Sequence, residues 1–554
     1  MVEQFSVFQM RSTTDWESLV RFLLKNGTPA VSTNLRPAIE IFNLLRLRGC
    51  LSVIIEDPYL DEDHRRCHAR LHNLAQSAMS RYCRRLHFFS KEVQLSDLRN
   101  LPETCHKQYM GMCVWRPINA FPVGRTILSA KNVIAPVGKN WEPYLTCSTK
   151  YEINMAGNIL AVNGSPFIQQ DHMVAACATA AIWMANWYMS TQYDEFTTYY
   201  SPQITEAATR YDLSFGRAIP SEGLHNGQIL EAFRALGYDP IAYDLLKTSA
   251  TVSRRLLYRL VESGIPTVAG LVEPEGGHAI TVFGHALDMD IDPPLHTFPE
   301  RSRSIRAVKY IDSSDYSQAF LVNDDAMGPY RWMELKDTNE ITEENLRGIY
   351  PTSRSLNAAK RFLDELASRD ITTTAIFSNS SGQPEFIAGI DFLAAPLPTA
   401  ITLSPKDAQD KALAVFHTLI PSDSGTLPTL AVRTYLTESN TFKEHIGKVA
   451  NPNSDFAWWL RSLYYPKWIW VTEFSTYQNN RTPIGRQVVA SIVIDSSAPR
   501  DTLHFVLVHI GGWVIHISKD QQNVIQVVKD MAMNRLPLLI DNNFVPYVQL
   551  ERKN

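Results

Sequence analysis

Between Asp171 and Asp194 the chain carries no formal charge over 22 residues, HMVAACATAAIWMANWYMSTQY. A segment of that length can cross a bilayer. Its many alanines, together with Thr179, Asn186, Ser190, Thr191 and Gln192, instead predict a helix buried in a protein core. A helix without a charged face must be enclosed by other elements, so the chain is expected to build around it. Cys177 falls near its start. Ala175, Ala176, Ala178, Ala180 and Ala181 leave that end uncluttered, and Trp183, Met184 and Trp187 recur at helical spacing to anchor the far end. A thiol is a nucleophile only as thiolate, and the partial positive charge of a first helical turn favours that form. The alternative is a small, inert cysteine in a core helix.

A thiolate needs a cationic partner, and 15 histidines are available. EGGHAITVFGH places His278 after Gly276 and Gly277 and just before an apolar run. A histidine at a strand edge, beside glycines that let a substrate backbone approach, suits a base. His285 is the local rival, but seven residues along one strand reverse the face, so at most one of the two can meet the cysteine. A third group should fix the imidazole. FLVNDDAMGPYRW offers Asn323, Asp324 and Asp325 at the end of an apolar strand before a Gly-Pro turn. Alternation puts Asp324 on one face and Asn323 with Asp325 on the other, and the pattern leaves the choice of face open.

In this order the segments resemble the papain-like cysteine peptidases, and more particularly the bacteriocin-leader (double-glycine) peptidase branch and its stand-alone relatives. GLHNGQILEAFRALGYDPIAYDL is similar to that branch's unit of glycine, helix, Leu-Gly-Tyr and strand, and LLYRLVESGIPTVAGL to its short helix, Gly-x-Pro and strand. The resemblance covers about residues 165–335 and rests on the order of the motifs. It implies Cys177 as nucleophile, His278 as base and Asp324 as orienting acid. The family's oxyanion glutamine stands six residues before the cysteine, where this chain has Asp171; a one-residue bulge would bring Gln170 into that role, with Gln169 one step further away. Cys-Gly is replaced by Cys177-Ala178, and the interval between His278 and Asp324 is lengthened by DMDIDPPLHTFPERSRSIR, an insert that could overhang a cleft.

The fold expected is α+β and multi-domain, with a central papain-like unit of a catalytic helix packed on an antiparallel sheet. The 554 residues suffice for several cores. Changes of pattern divide them into an α+β segment 1–150, a peptidase-like segment 151–340, and a segment 341–554 that ends in a β-meander of KWIWVTEFSTY, GRQVVASIVID and LHFVLVHIGGWVIHI. A long helical stretch is expected from Asp61 to His87. Seven irregularly spaced cysteines, an odd number, and an N-terminus without the apolar core of a signal peptide predict a cytoplasmic protein.

A net charge of -4 gives no basic footprint for nucleic acid, and the one route to such a partner is the arginine-rich helix near residues 65–85. His64, Cys67, His68 and His72 lie on one helical stripe, with Cys83, His87, Cys105 and His106 beyond, but they form no paired cysteine knuckle; neither a metal nor another cofactor is expected. The activity implied is hydrolysis of a soluble protein or peptide. An acyltransferase or amidase on the same triad, or an inactive peptidase fold used for binding, are the alternatives.

Overall fold

The computed structural model describes residues 4–24, 34–71, 73, 79–133, 135–171, 173–174, 176–211, 223–288, 290–297, 309–419, 429–449, 455–476, 488–499, 505–510, 513–517, 525–529 and 548–549. The protein is α+β, with sheets of six, nine and eight strands and a separate two-stranded hairpin.

The uncharged segment forms the helix Cys177–Gln192. From Ala178 to Met189 every residue except Trp187 is buried, so the helix is enclosed around nearly its whole circumference. Asn186 and Thr179 find partners inside the core, as burial requires. The Asn186 amide donates to Thr197 O and Tyr238 Oη, and its oxygen accepts from the Tyr199 N–H. Thr179 and Thr205 share a hydroxyl bond. Among the described residues no helix is long and apolar enough to cross a membrane.

Six strands of the nine-stranded sheet close on themselves. Thr267–Glu273, Gly276–Asp288, Ser317–Asp324, Gly328–Asp337, Thr373–Ser378 and Pro384–Ala395 pair in succession, all antiparallel, and the last returns to the first. Closure into a barrel removes the exposed edges that an open sheet of these strands would present. The cysteine helix packs against this barrel, and Thr281 on the strand Gly276–Asp288 donates its hydroxyl to Ala181 O at 2.9 Å. Trp141–Leu145 extends the sheet from the other edge of that strand. Strand pairing therefore runs across both residue 150 and residue 340, where the sequence pattern changes.

Two helices that feed the barrel end as their sequences dictate. Asn226–Ala235 is followed by Gly237 at φ +94°, and Ala250–Glu262 by Gly264 at φ +69°, the left-handed position that favours glycine after a helix. The C-terminal strands from Leu430–Glu438 through Ile525–Lys529 pair antiparallel in chain order, and Lys309–Asp312 adds to their edge in parallel.

The helix expected from Asp61 to His87 is corrected. The helix covers Glu62–Arg70, and Cys83–Phe89 is a fully buried central strand of the six-stranded sheet. Arg84 and Arg85 make CRRLHFF look like a polar helix; each is neutralised from the neighbouring strand, by Asp57 and by Glu56, both at 2.7 Å. Arg66 and Arg70 likewise pair with Glu62 and Glu206. The histidines of this region are spent on structural contacts, His64 on Ser80 O and His68 on Met79 O, while His87 bonds the Tyr109 hydroxyl; His72 lies outside the described residues.

The insert after Asp288 does not reach the cleft where it is described. His296 and Thr297 pair with Tyr310 and Lys309, and His296 Nε2 lies 2.7 Å from Asp315 Oδ2; residues 298–308 lie outside the described residues.

Gly284 tests the seam between the barrel and Trp141–Leu145, because a Cβ there would stand 2.2 Å from the Tyr144 carbonyl oxygen. Gly284→Ala is expected to cost about 1–3 kcal/mol of stability, as overpacking does, and to lower the denaturation midpoint. An unchanged midpoint would contradict this pairing.

Candidate active site

Cys177 is the first residue of its helix, behind Ala176, and no side chain caps the first turn. Four amides of a first turn have no partner within the helix, and an alanine at the cap has no side-chain acceptor to offer them. Cys177 is partly exposed, whereas the other six cysteines are buried. Burial pushes the thiols of Cys50 and Cys113 up to about 12 and raises those of Cys67, Cys83 and Cys147 as well. Burial is also what marks these six as structural and leaves Cys177 as the thiol a reactant can meet.

His278 lies near the start of the strand Gly276–Asp288, after a tight turn in which Gly276 takes φ +141°. Its Nε2 is 3.1 Å from Asp324 Oδ1. The register explains the contact: Thr281 pairs with Asn323, so Asp324 stands one step further along, in reach of a residue just ahead of Thr281. Asp324 Oδ1 also accepts the Ala326 and Met327 amides, at 2.9 and 3.2 Å, which fixes the carboxylate before it meets the imidazole. Asn323 turns to the opposite side and bonds Pro166 O and the Tyr330 N–H. The face left open by the sequence is therefore the face of Asp324.

Burial alone would push the His278 imidazole down. The Asp324 charge and hydrogen bond, with a hydrogen bond to Cys177 and the charge of Asp325, outweigh it and hold the group well above its ordinary value. Since Nε2 is turned to Asp324, Nδ1 is the ring nitrogen left for the sulfur. Burial opposes ionisation of Asp324 too, but the His278 charge and hydrogen bond keep its carboxyl below the usual range. His285, the rival, is fully buried with Nε2 2.8 Å from Glu262 Oε2 and belongs to the packing of the helix Ala250–Glu262.

Gln170, Cys177 and His278 line one cleft of about 980 Å³. Gln169 is buried, and its side chain bonds the Val123 N–H and Asn34 O. Asp171, at the position six before the cysteine, accepts the Met173 and Val174 amides and so shapes the turn that leads into the helix. Of these three residues, only Gln170 lines the cleft. Gly223, Gly227, Gly270, Gly276 and Gly277 also line it, so a peptide backbone can come close to the thiol. Arg369 and Asp391 line it as well, from beyond residue 340.

Two further residues at this site do not follow from the sequence pattern. Glu273 lines the cleft near His278, and its carboxyl is raised by burial. Alternation puts Asp325 on the face away from Asp324, yet its Oδ1 is 3.7 Å from His278 Nε2. The regular pairing shifts between Val322 and Asp324, where the strand enters its turn, so alternation no longer separates neighbours. The signal is present in Asp-Asp followed shortly by Met-Gly, a turn composition that interrupts the period of two.

No protein-family model and no curated protein matches the chain.

An imidazole whose pKa is raised by folding contributes stability that is fully present below its unfolded value and lost as pH rises through the folded value. Asp324→Asn removes the largest group that raises His278, so its titration midpoint, read by NMR of the labelled ring, is expected to fall, and this contribution below about pH 6.5 to shrink. An unchanged midpoint would show that Asp324 does not hold the imidazole.

Proposed function

We propose that this chain is a papain-like thiol peptidase or isopeptidase acting on a soluble protein or peptide in the cytoplasm. The observation that carries the reading is that Cys177 and His278 line one cleft while Asp324 Oδ1 stands 3.1 Å from His278 Nε2, with the thiol near enough to the ring to help hold its pKa up. A cysteine at a first helical turn, packed on an antiparallel barrel that supplies the histidine and the acid, supports it further.

In this reading His278 takes the Cys177 proton on Nδ1, and the thiolate attacks the scissile carbonyl carbon. In this reading the Cys177 backbone N–H and the Gln170 side chain meet the developing oxyanion; both residues line the cleft. Nδ1 then gives its proton to the leaving amine, which leaves an acyl thioester on Cys177. Water, deprotonated by His278, attacks the thioester and releases the acid and the thiol. An amine in place of water would make the same site an acyltransferase. Asp324 holds the ring with one nitrogen aimed at the sulfur and stabilises the imidazolium.

The test is a comparison of new protein N-termini in a cell extract treated with the full chain or with Cys177→Ala. Peptidase activity predicts termini that appear with the parent and fall by at least about a thousandfold with the variant. Identical profiles from the two proteins would overturn the reading, and incorporation of a labelled amine without new termini would replace hydrolysis by transfer.

A further inference from the structure

Asp325 is fully buried, and neither of its oxygens makes a hydrogen bond of ordinary geometry. Asp324 Oδ2, equally buried, has no hydrogen-bond partner either. A carboxylate in a protein interior is costly unless it is protonated, paired or bound to a cation, and the imidazole nearest Asp325, His278 at 3.7 Å, is already held by Asp324. Asp324 already supplies the imidazole with its acid, so the orientation of His278 gives no reason for a second carboxylate.

The spacing supplies a reason. His278 Nε2 lies 3.1 Å from Asp324 Oδ1 and 3.7 Å from Asp325 Oδ1, and one ligand atom from each of the three residues falls within 4.8 Å of the others. A tetrahedral cation with bonds of about 2.0–2.1 Å needs ligand atoms about 3.3 Å apart. The two distances bracket that edge. His278 and Asp324, though not Asp325, also line a smaller cavity of about 340 Å³ that does not include Cys177; Glu273, Glu275 and Glu385 border it, with Arg36 as the one arginine or lysine among the described residues there. The set is one imidazole nitrogen and two carboxylates, which suits zinc and similar divalent ions better than magnesium, an ion that prefers oxygen and retains its water. Three protein ligands leave a fourth position for water, as in an exchangeable site.

We propose that His278, Asp324 and Asp325 form a binding site for a zinc-like divalent cation at the rear of the imidazole, away from Cys177. The cation takes the Nε2 lone pair and comes between the ring and Asp324, so the proton of the neutral imidazole sits on Nδ1, which then has no lone pair to take the Cys177 proton while the cation is bound. The consequence, a reversible off state of the thiol site, rests on the peptidase reading; the binding site does not.

The test uses the full chain carrying Cys177→Ala, which removes the one cysteine that is not buried. Zinc chloride is titrated against a chromophoric chelator, with magnesium chloride in parallel. One equivalent of zinc is expected to bind, with no competing effect of magnesium. Adding Asp325→Asn, which keeps the shape and removes a buried carboxyl, is expected to weaken that equivalent by more than about tenfold, the loss that even an outer partner of a metal ligand gives. Adding His278→Gln is expected to abolish it. Thermal melts of the metal-free variants confirm that each is folded. No zinc binding, or binding of equal strength in folded Asp325→Asn or His278→Gln, overturns the site. Because Cys177 is absent throughout, failure of the peptidase reading leaves the result unchanged, and failure of this site leaves the peptidase test unchanged.

Discussion

The enclosure of one uncharged helix organises the centre of this protein. Cys177–Gln192 has no face that water would favour, and from Ala178 to Met189 all but Trp187 are buried. Each buried side chain of Leu, Met or Phe size adds about 1.5–3 kcal/mol over exposure, so barrel, hairpin and neighbouring helices gather around it. Solvent reaches the helix at its ends, and the partly exposed cysteine stands at the first of them. The requirement that buries the helix thus also presents the thiol and the amides of the first turn at the cleft.

The barrel does the complementary work. Its strands place His278 and Asp324 on adjacent antiparallel chains, where register determines which side chains meet. The far end of the histidine strand is fixed separately, since His285 bonds Glu262 and Glu262 in turn holds Arg433 at 2.6 Å. Arg433 also meets Glu473 on the next strand of the C-terminal sheet. This buried chain of charges ties the histidine strand to that sheet, and removing one member would leave a buried neighbour with a weaker set of partners, which is costly.

Much of the site was legible in the sequence because its signals are local. A charge-free run with a cysteine at its head, two glycines before a histidine, and an aspartate at a strand end each follow from the chemistry of a few adjacent residues. What was not legible depends on contacts distant in the chain. Strands after residue 340 complete the barrel, and Arg369 and Asp391 reach the cleft from there. Cys83–Phe89 reads as a strand only once Asp57 and Glu56 neutralise its arginines. Asp325 falls on the side that alternation denies it because the period of two fails where a strand enters a turn.

The central claim is that Cys177 and His278 act as a coupled pair, and its most direct measurement is the rate of Cys177 alkylation as a function of pH, followed by mass spectrometry in the parent and in His278→Ala. The account predicts that at about pH 6 the parent reacts at least about tenfold faster than an ordinary thiol, of which well under a hundredth is ionised there, and that His278→Ala loses this excess. Equal rates in the two proteins at that pH, with Cys177 reached by the reagent in both, would contradict it.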